Sequence, residues 1–335
     1  MSAPHTVGFK TGERNIFLHL LTACNLSCAH CYINPREHGS SMLTREQLAS
    51  WIRLFHDPAK ESNIVFLGGE PTMHPDLVYG IEVAKSCGYA VTVDTNGYLF
   101  HDFLERVTPD HLDYLSFSLD GPDPEINDPI RGEGVFGVCT ANLKKAVDRG
   151  ISTSLIYTVS SRNIDGLERM VPLLKELGVK RFFIQVIGLR GKSATSAKSD
   201  ETPLQVDPNR WLEVVPMVAE EVSRQGITVI YPKVFLDKTE IFECAGNVAE
   251  NFFIFPNGRV YQCPLCEDYP IHSYEIRNDK LVKVEGLTEE RFFKLDIAEG
   301  CVMNKLLQPD TIVYDDSGEP VHRVSCCLLK QRLEK

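Results

Sequence analysis

Between residues 15 and 190 the chain alternates between short apolar runs rich in β-branched residues and longer segments with helical spacing. The apolar runs are NIFLHLLTA (15–23), NIVFLGG (63–69), AVTVDTNG (90–97), YLSFSLDG (114–121), STSLIYTVS (152–160) and RFFIQVIGL (181–189). Each has the length and flanking residues of a strand. Between the first two, Thr44-Arg45-Glu46-Gln47 reads as a capping box, Thr44 capping and Gln47 reaching back, that opens a helix through His56. Further helices are predicted at 76–87, 99–106, 136–149 and 163–177, three of them followed by Gly88, Gly150 or Gly178. Glycine there supplies the left-handed residue that closes a helix. Strand–helix repetition with near-continuous apolar strands predicts a parallel sheet covered by helices. Six such units form an α/β fold, a partial (βα)6 TIM-like barrel. Polar residues gather at the C-terminal ends of the strands: Cys24, Gly68-Gly69-Glu70, Thr95-Asn96, Ser118 and Asp120. Parallel α/β folds build their sites along that edge.

The small polar stretch GKSATSAKSDETP (191–203) reads as a loop or lid over that edge. A helix over 208–225 stops at Gly226 and leads into a strand, ITVIYP (227–232). Beyond residue 240 the pattern changes. FFIFPNGRVYQ (252–262) alternates like a β-hairpin turning at Asn257-Gly258, and the remainder is short strands, turns and cysteines. The expected organisation is a tail (1–14), an α/β barrel (15–235) and a small cysteine-rich hairpin domain (236–335).

Composition narrows the function classes. Of 335 residues, 43% are hydrophobic and 24% charged, as in an ordinary globular protein with a sizeable core. The net charge of −11 argues against binding nucleic acid or an anionic membrane surface. No apolar stretch has the form of a signal peptide or of a membrane span, so the expected location is the cytoplasm. Eleven cysteines in such a chain point to metal or redox chemistry rather than to disulfides. Three lie within residues 24–31 and six within 244–327. Cys87 and Cys139, inside predicted helices, read as structural thiols.

Cys24-x3-Cys28-x2-Cys31 follows the first strand in a loop. Three thiolates so close can wrap one soft metal centre. Structural zinc usually takes four ligands, and no fourth cysteine lies nearby. A [4Fe–4S] cluster with three cysteines keeps one iron open to a small molecule. The spacing resembles the radical SAM (S-adenosylmethionine) superfamily motif CxxxCxxC, which has an aromatic before the last cysteine; here that position is His30. The resemblance continues through GGEP (Gly68 to Pro71), TNG (Thr95 to Gly97) and SLDG (Ser118 to Gly121) followed by Arg131, across the whole α/β region. It implies that the open iron is chelated by SAM. Gly68 and Gly69 would allow close backbone approach, and Glu70 would help orient the SAM ammonium. Asn96, Ser118 and Asp120 would match positions near its ribose and methionine parts, and Arg131 would pair with its carboxylate. The reduced cluster would then split SAM into methionine and a 5′-deoxyadenosyl radical that takes a hydrogen atom from substrate. His74, just after GGEP, is a candidate general base.

Cys244-x13-Gly258-x4-Cys263 resembles the opening of the SPASM and twitch domains, which hold auxiliary iron–sulfur clusters. The full SPASM run CxxCxxxxxCxxxC is absent, so one auxiliary [4Fe–4S] cluster is expected. Its ligands would be Cys244, Cys263, Cys301 and Cys326, with Cys266 and Cys327 as alternatives. A zinc ribbon using Cys263-x2-Cys266 is the competing reading.

The expected function is oxidation, epimerisation or crosslinking of a substrate after hydrogen abstraction. The domain pairing resembles peptide-modifying maturases, sulfatase-maturating enzymes and an aminocyclitol dehydrogenase. About 14 residues before the first strand leave no room for an N-terminal peptide-recognition domain, so peptide and small-molecule substrates stand level. A reductant such as flavodoxin or ferredoxin is implied; nucleic-acid and membrane partners are not. A non-catalytic iron–sulfur electron carrier and a zinc-stabilised binding module are the other classes, and neither accounts for the SAM-like motifs.

Overall fold

The computed structural model describes residues 12–99, 101–194 and 204–334. The tail before residue 12 and positions 195–203 of the expected lid lie outside the described residues. Seven strands of the α/β region run side by side and in parallel. They are β1 (Glu13–His19), β2 (Glu61–Leu67), β3 (Ala90–Thr95), β4 (Tyr114–Ser118), β5 (Thr153–Val159), β6 (Arg181–Val186) and β7 (Thr228–Pro232). The expected six units are thus joined by the 227–232 strand in the same sheet.

The strands are not apolar on both faces. Ile16, Leu18, Ile64, Phe66, Val91, Val93, Leu115, Phe117, Leu155, Phe182 and Ile184 are buried and pack under the helices. The alternate positions include Asn15, Asn63, Asp94, Ser116, Ser154 and Arg181 among apolar residues such as Phe17, Val65 and Phe183. Period-two patterning therefore leaves a mixed face with a row of polar groups turned away from the helices, the inner wall of an open barrel.

Predicted helices appear at Arg45–Leu54, Leu77–Ser86 and Val135–Asp148, while the one expected over 99–106 shortens to the single turn Phe103–Arg106. Arg45–Leu54 carries the complete capping box: Gln47 N donates to Thr44 Oγ1 (3.2 Å) and Thr44 N to Gln47 Oε1 (3.0 Å). The expected 163–177 helix begins as a 3₁₀ segment, Ile164–Arg169, and becomes α-helical only at Met170–Leu177. Pro172 accounts for the change, since it has no N–H to donate and is tolerated only in a first turn. Among the described residues the longest helix absent from the expected set is Pro124–Arg131, which Asp123 caps by accepting from Ile126 N (3.0 Å). Among the described residues no helix is long and apolar enough to cross a membrane.

After β7 come a short β8 (Phe235–Leu236) and then the hairpin, β9 (Glu250–Ile254) with β10 (Arg259–Tyr261). The hairpin is continuous with the barrel sheet, because β9 pairs in parallel with β1, Ile16 opposite Phe252 and Leu18 opposite Ile254. The Phe17 and Phe253 rings stack at 4.5 Å across this seam. β11 (Tyr274–Arg277) and β12 (Lys280–Lys283) extend that edge, and β13 (Arg323–Val324) pairs with β8 in a separate ribbon. β14 (Lys330–Leu333) lies antiparallel on β7, at the opposite edge. The result is a sheet of twelve strands, open at both ends, in the order β12-β11-β10-β9-β1-β2-β3-β4-β5-β6-β7-β14.

Candidate active site

The three clustered cysteines leave β1 at the C-terminal edge of the sheet, and the chain after β2 holds them there. Gly69 N donates to Leu21 O (2.8 Å) and Glu70 N to Ala23 O (3.0 Å). A Cβ on Gly69 would sit 1.9 Å from Ala23 O, and one on Gly68 2.5 Å from Leu21 O. The two glycines are therefore needed for contact with the cysteine loop itself. Glu70 is fully buried and faces inward. Its carboxylate accepts from Thr72 N (3.0 Å), Thr72 Oγ1 (2.6 Å), Thr95 Oγ1 (2.8 Å) and Asn96 N (2.8 Å). Burial raises its pKa against the pull of these donors. Three of these bonds fall on Oε1 and one on Oε2, and together they brace the end of β2 against the end of β3.

Asn96 extends toward the loop, its Nδ2 lying 2.8 Å from Asn25 Oδ1 and 3.6 Å from Cys24 Sγ. Asp120 collects the next set of candidates. Its Oδ2 lies 2.6 Å from Arg131 Nε and 3.0 Å from His30 Nε2, and its Oδ1 accepts from Thr158 N (2.7 Å). Burial alone would raise this carboxyl, but the Arg131 guanidinium, and after it His30, hold it down at about 2. His30, Asp120 and Arg131 thus form one buried assembly, in which Arg131 Nε is paired with Asp120. Ala29 N donates to Ile130 O (2.8 Å), so the Pro124–Arg131 helix also clamps the cysteine loop. Ser118, at the end of β4, is half-buried, and its carbonyl accepts from the fully buried Cys139 thiol (3.7 Å).

His74 lies outside this group. It is buried, its Nε2–H donates to Leu43 O (2.9 Å), and its Nδ1 accepts from Asp76 N (3.1 Å). Both ring nitrogens are occupied by backbone, which corrects the expectation of a general base.

Comparison with known proteins bears on the family. Residues 18–174, just under half of the chain, match the family described as the Radical SAM superfamily. Fe-coproporphyrin III synthase of Methanosarcina barkeri is 28% identical to this chain over 227 residues, 66% of this chain and 54% of that one. PqqA peptide cyclase of Ruegeria pomeroyi is 28% identical over 270 residues, 78% of this chain and 70% of that one. The solved structure of native anSMEcpe with bound AdoMet superposes with a TM-score of 0.62 at 15% identity, covering 93% of both chains. The chain spans about half the length (54%) of the coproporphyrin relative.

Radical SAM proteins use SAM and a [4Fe–4S] cluster, and the loop suits both. Asn25 Nδ2 and His30 Nδ1 are buried in it without a hydrogen-bond partner in the protein, next to Cys24 and Cys31. Burial pushes the Cys28 thiol up, only partly offset by Arg131, so a bound cation is what would hold it as thiolate. Among the described residues no three His, Cys, Asp or Glu side chains converge as around a single ion. A cubane makes no such demand, since each thiolate takes its own iron.

The second cysteine group of this chain surrounds one cavity, lined by Cys244, Cys263, Cys301, Cys326 and Cys327 together with apolar side chains. Backbone contacts fix the segments that carry them. Cys301 N donates to Val324 O (2.9 Å), and a Cβ on Gly300 would lie 2.4 Å from the same oxygen. The buried Glu289 carboxylate accepts from Gln262 N (2.7 Å) and Cys263 N (3.0 Å). Burial raises the Cys244 and Cys301 thiols, with neighbouring cysteines adding to it, while the Cys263 thiol is raised first by Cys266 and the Cys327 thiol first by Cys326. Cys326 packs with Leu236, Ala245 and Leu329, and Cys266 is fully buried beside Cys263.

Sequence reasoning missed the inner wall of the barrel. Asp94 on β3, Ser116 on β4, Ser154 on β5 and Arg181 on β6 occupy successive register positions of one row. Asp94 bonds the Ser116 hydroxyl, which in turn meets that of Ser154. The Arg181 guanidinium lies 3.5 Å from the centre of the Tyr114 ring. Burial lifts the Asp94 carboxyl to about 7 against the opposing pull of Arg181. The signal was present in the alternation of β3 to β6, where Asp94, Ser116, Ser154 and Arg181 each stand next to a buried apolar residue.

Two predictions follow from these environments. Asp120, depressed to about 2, stabilises the fold above its unfolded value near 4 and loses that contribution as pH falls through 2. Asp94, raised to about 7, does the reverse: its penalty is absent below about pH 4 and complete above 7. Urea unfolding at several pH values should show Asp120→Asn costing about 3–5 kcal/mol at neutral pH, because Arg131 stays buried unpaired, with the deficit shrinking in acid. Asp94→Asn should gain on wild type as pH rises. Curves parallel to wild type would contradict both assignments. Separately, His74→Ala should cost about 1–3 kcal/mol of stability while leaving the rate of SAM cleavage unchanged.

Proposed function

We propose that Cys24, Cys28 and Cys31 hold the cluster of a radical SAM enzyme that abstracts a hydrogen atom from a peptide substrate. The observation that carries this reading is the seating of the cysteine loop, backbone on backbone, against Gly68 and Gly69 at the open end of the barrel. When bound, the cluster supplies the electron that splits SAM into methionine and the 5′-deoxyadenosyl radical that attacks substrate.

The protein's own residues position and enclose. The exposed edges of Gly68 and Gly69, with Asn96 and Ser118, form the mouth in which SAM would lie. His30, Asp120 and Arg131 fix the loop's far side, and Glu70 fixes its near side from below. The row of Asp94, Ser116 and Ser154 is the wall a substrate entering the barrel would meet. Its hydroxyls and carboxyl suit a substrate with hydrogen-bonding groups, such as peptide amides.

The relatives act on different molecules, as the names PqqA peptide cyclase and Fe-coproporphyrin III synthase say. The peptide cyclase match, at 78% of this chain, is too long to fit within residues 15–235 and extends into the cysteine-rich region. That extent favours a peptide. In the cysteine-rich region, residues 236–335, the shared cavity supports Cys244, Cys263 and Cys301, with Cys326 or Cys327, as ligands of an auxiliary [4Fe–4S] cluster. The auxiliary cluster would take up an electron from the substrate or bind it directly. A flavodoxin or ferredoxin would supply electrons, and a cytoplasmic location suits free thiols.

The test is anaerobic. Protein reconstituted with iron and sulfide, given SAM and dithionite, should release 5′-deoxyadenosine, and the Cys24/Cys28/Cys31→Ala triple variant should release none. An iron-loaded protein that neither binds SAM nor makes this product would overturn the proposal. Replacing Cys244 and Cys263 by Ala should lower iron by about four per chain, leaving the first cluster in place. Unchanged iron would remove the auxiliary cluster from the account.

A further inference from the structure

The chain leaving β6 runs between the two cysteine sites and touches both. Arg190 is mostly buried, with its Nη1 donating to Pro264 O (2.7 Å) and ion-paired with the buried carboxylate of Glu267. Its guanidinium also lies 4.8 Å from the centre of the Tyr32 ring. Tyr32 follows Cys31, and Pro264 follows Cys263. The Tyr32 hydroxyl is tied in turn to His19 Nε2 at the end of β1 (2.9 Å).

The next two residues repeat the pattern with backbone. Gly191 N donates to Asp268 Oδ2 (2.8 Å) on the auxiliary side. Gly191 adopts φ +55°, and a Cβ there would lie 2.6 Å from Tyr32 O and 2.7 Å from Cys31 O. Lys192 N donates to Cys31 O (2.9 Å), and Lys192 Nζ reaches Ser27 Oγ (2.5 Å). Three consecutive residues therefore grip the Cys31–Tyr32 backbone on one side and the Pro264–Asp268 segment on the other.

We propose that the Arg190–Gly191–Lys192 turn couples the two sites, holding the catalytic cysteine loop in its SAM-binding position only while the Cys263–Asp268 segment is seated by its own cluster. The proposal rests on the reading that both cysteine groups hold clusters. It makes Arg190 and Glu267 positioning residues for SAM, although neither faces the candidate SAM mouth. The physical requirement is a contiguous chain of packed and hydrogen-bonded groups that both sites bias, and Tyr32, Arg190, Glu267 and Cys263 with its neighbours supply one. A lysine at 190 would keep the charge but lose the planar fork that serves Pro264 O, Glu267 and the Tyr32 face together.

The experiment is a thermodynamic cycle on SAM affinity in anaerobically reconstituted full-length protein. SAM Kd is measured by calorimetry, and the SAM-induced change in the EPR signal of the reduced catalytic cluster is recorded alongside. Arg190→Lys should weaken SAM binding by about three- to thirtyfold, with the catalytic cluster's iron retained. Cys244→Ala/Cys263→Ala should weaken it similarly, and adding Arg190→Lys to that pair should weaken it no further, because both act on one connection. Additive losses, or an unchanged Kd in folded Arg190→Lys, would overturn the coupling. If Arg190→Lys fails to fold, Glu267→Gln, which removes the ion pair but keeps an acceptor, takes its place with the same expectation. If the cysteine pair retains all its iron, the auxiliary-cluster reading falls; the Arg190→Lys titration then judges the turn alone, an unchanged Kd overturning it.

Discussion

Everything at the open end of this barrel depends on two stretches of backbone lying against each other with no side chain between them. Residues 21–23 and 68–70 approach so closely that a single methyl group at position 69 would overlap a carbonyl oxygen. The cysteine loop is therefore not a free excursion after β1 but a layer pressed onto the end of β2. Glu70, drawn inward by the same contact, carries the constraint on to Thr95 and Asn96 at the end of β3. Asn96 then returns it to Cys24 through Asn25. The circuit closes on itself, and a mobile stretch of thiols becomes a fixed arrangement.

Buried carboxylates do this in two ways. Glu70 and Glu289 each accept four hydrogen bonds from neutral donors and sit near the ends of strands that lead to cysteines. Asp120 and Glu267 are instead paired with arginines, and each pair joins an element of the barrel to a different partner. A charge held by neutral donors needs no countercharge, while an ion pair carries the risk of a heavy loss if one member is removed. The first kind appears within each cysteine site and the second at their outer supports.

Much of this was legible in the sequence, for identifiable reasons. Strands, helices and stop glycines follow from periodicity and capping, which act over a few residues. Motifs at the strand ends gave the cofactors because chemistry at a parallel-sheet edge needs particular residue types. What escaped were matters of orientation. Nothing local shows that Glu70 faces inward or that Arg131 pairs with Asp120, because both depend on groups brought together by the fold. His74 was misread for the same reason, since a histidine near a motif cannot show that backbone occupies both its nitrogens. The Pro124–Arg131 helix was hidden by its prolines, which suggest a turn although Asp123 and Pro124 begin a helix well. The polar row of the inner wall was overlooked when the strands were judged by average hydrophobicity instead of by alternate positions.

The sheet's edges carry a consequence for how the protein is made. β1 is completed on its outer side by β9, and the paired residues Arg14 and Glu250 are separated by 236 positions. β7 is completed by β14, close to residue 333. During translation the barrel strands therefore emerge and pair long before either flank can be covered. Both exposed flanks are templates for other chains, and contacts of such long range form slowly. The cysteine-rich segment thus closes the architecture as well as adding chemistry, and the protein is at its most aggregation-prone in the interval before that segment leaves the ribosome.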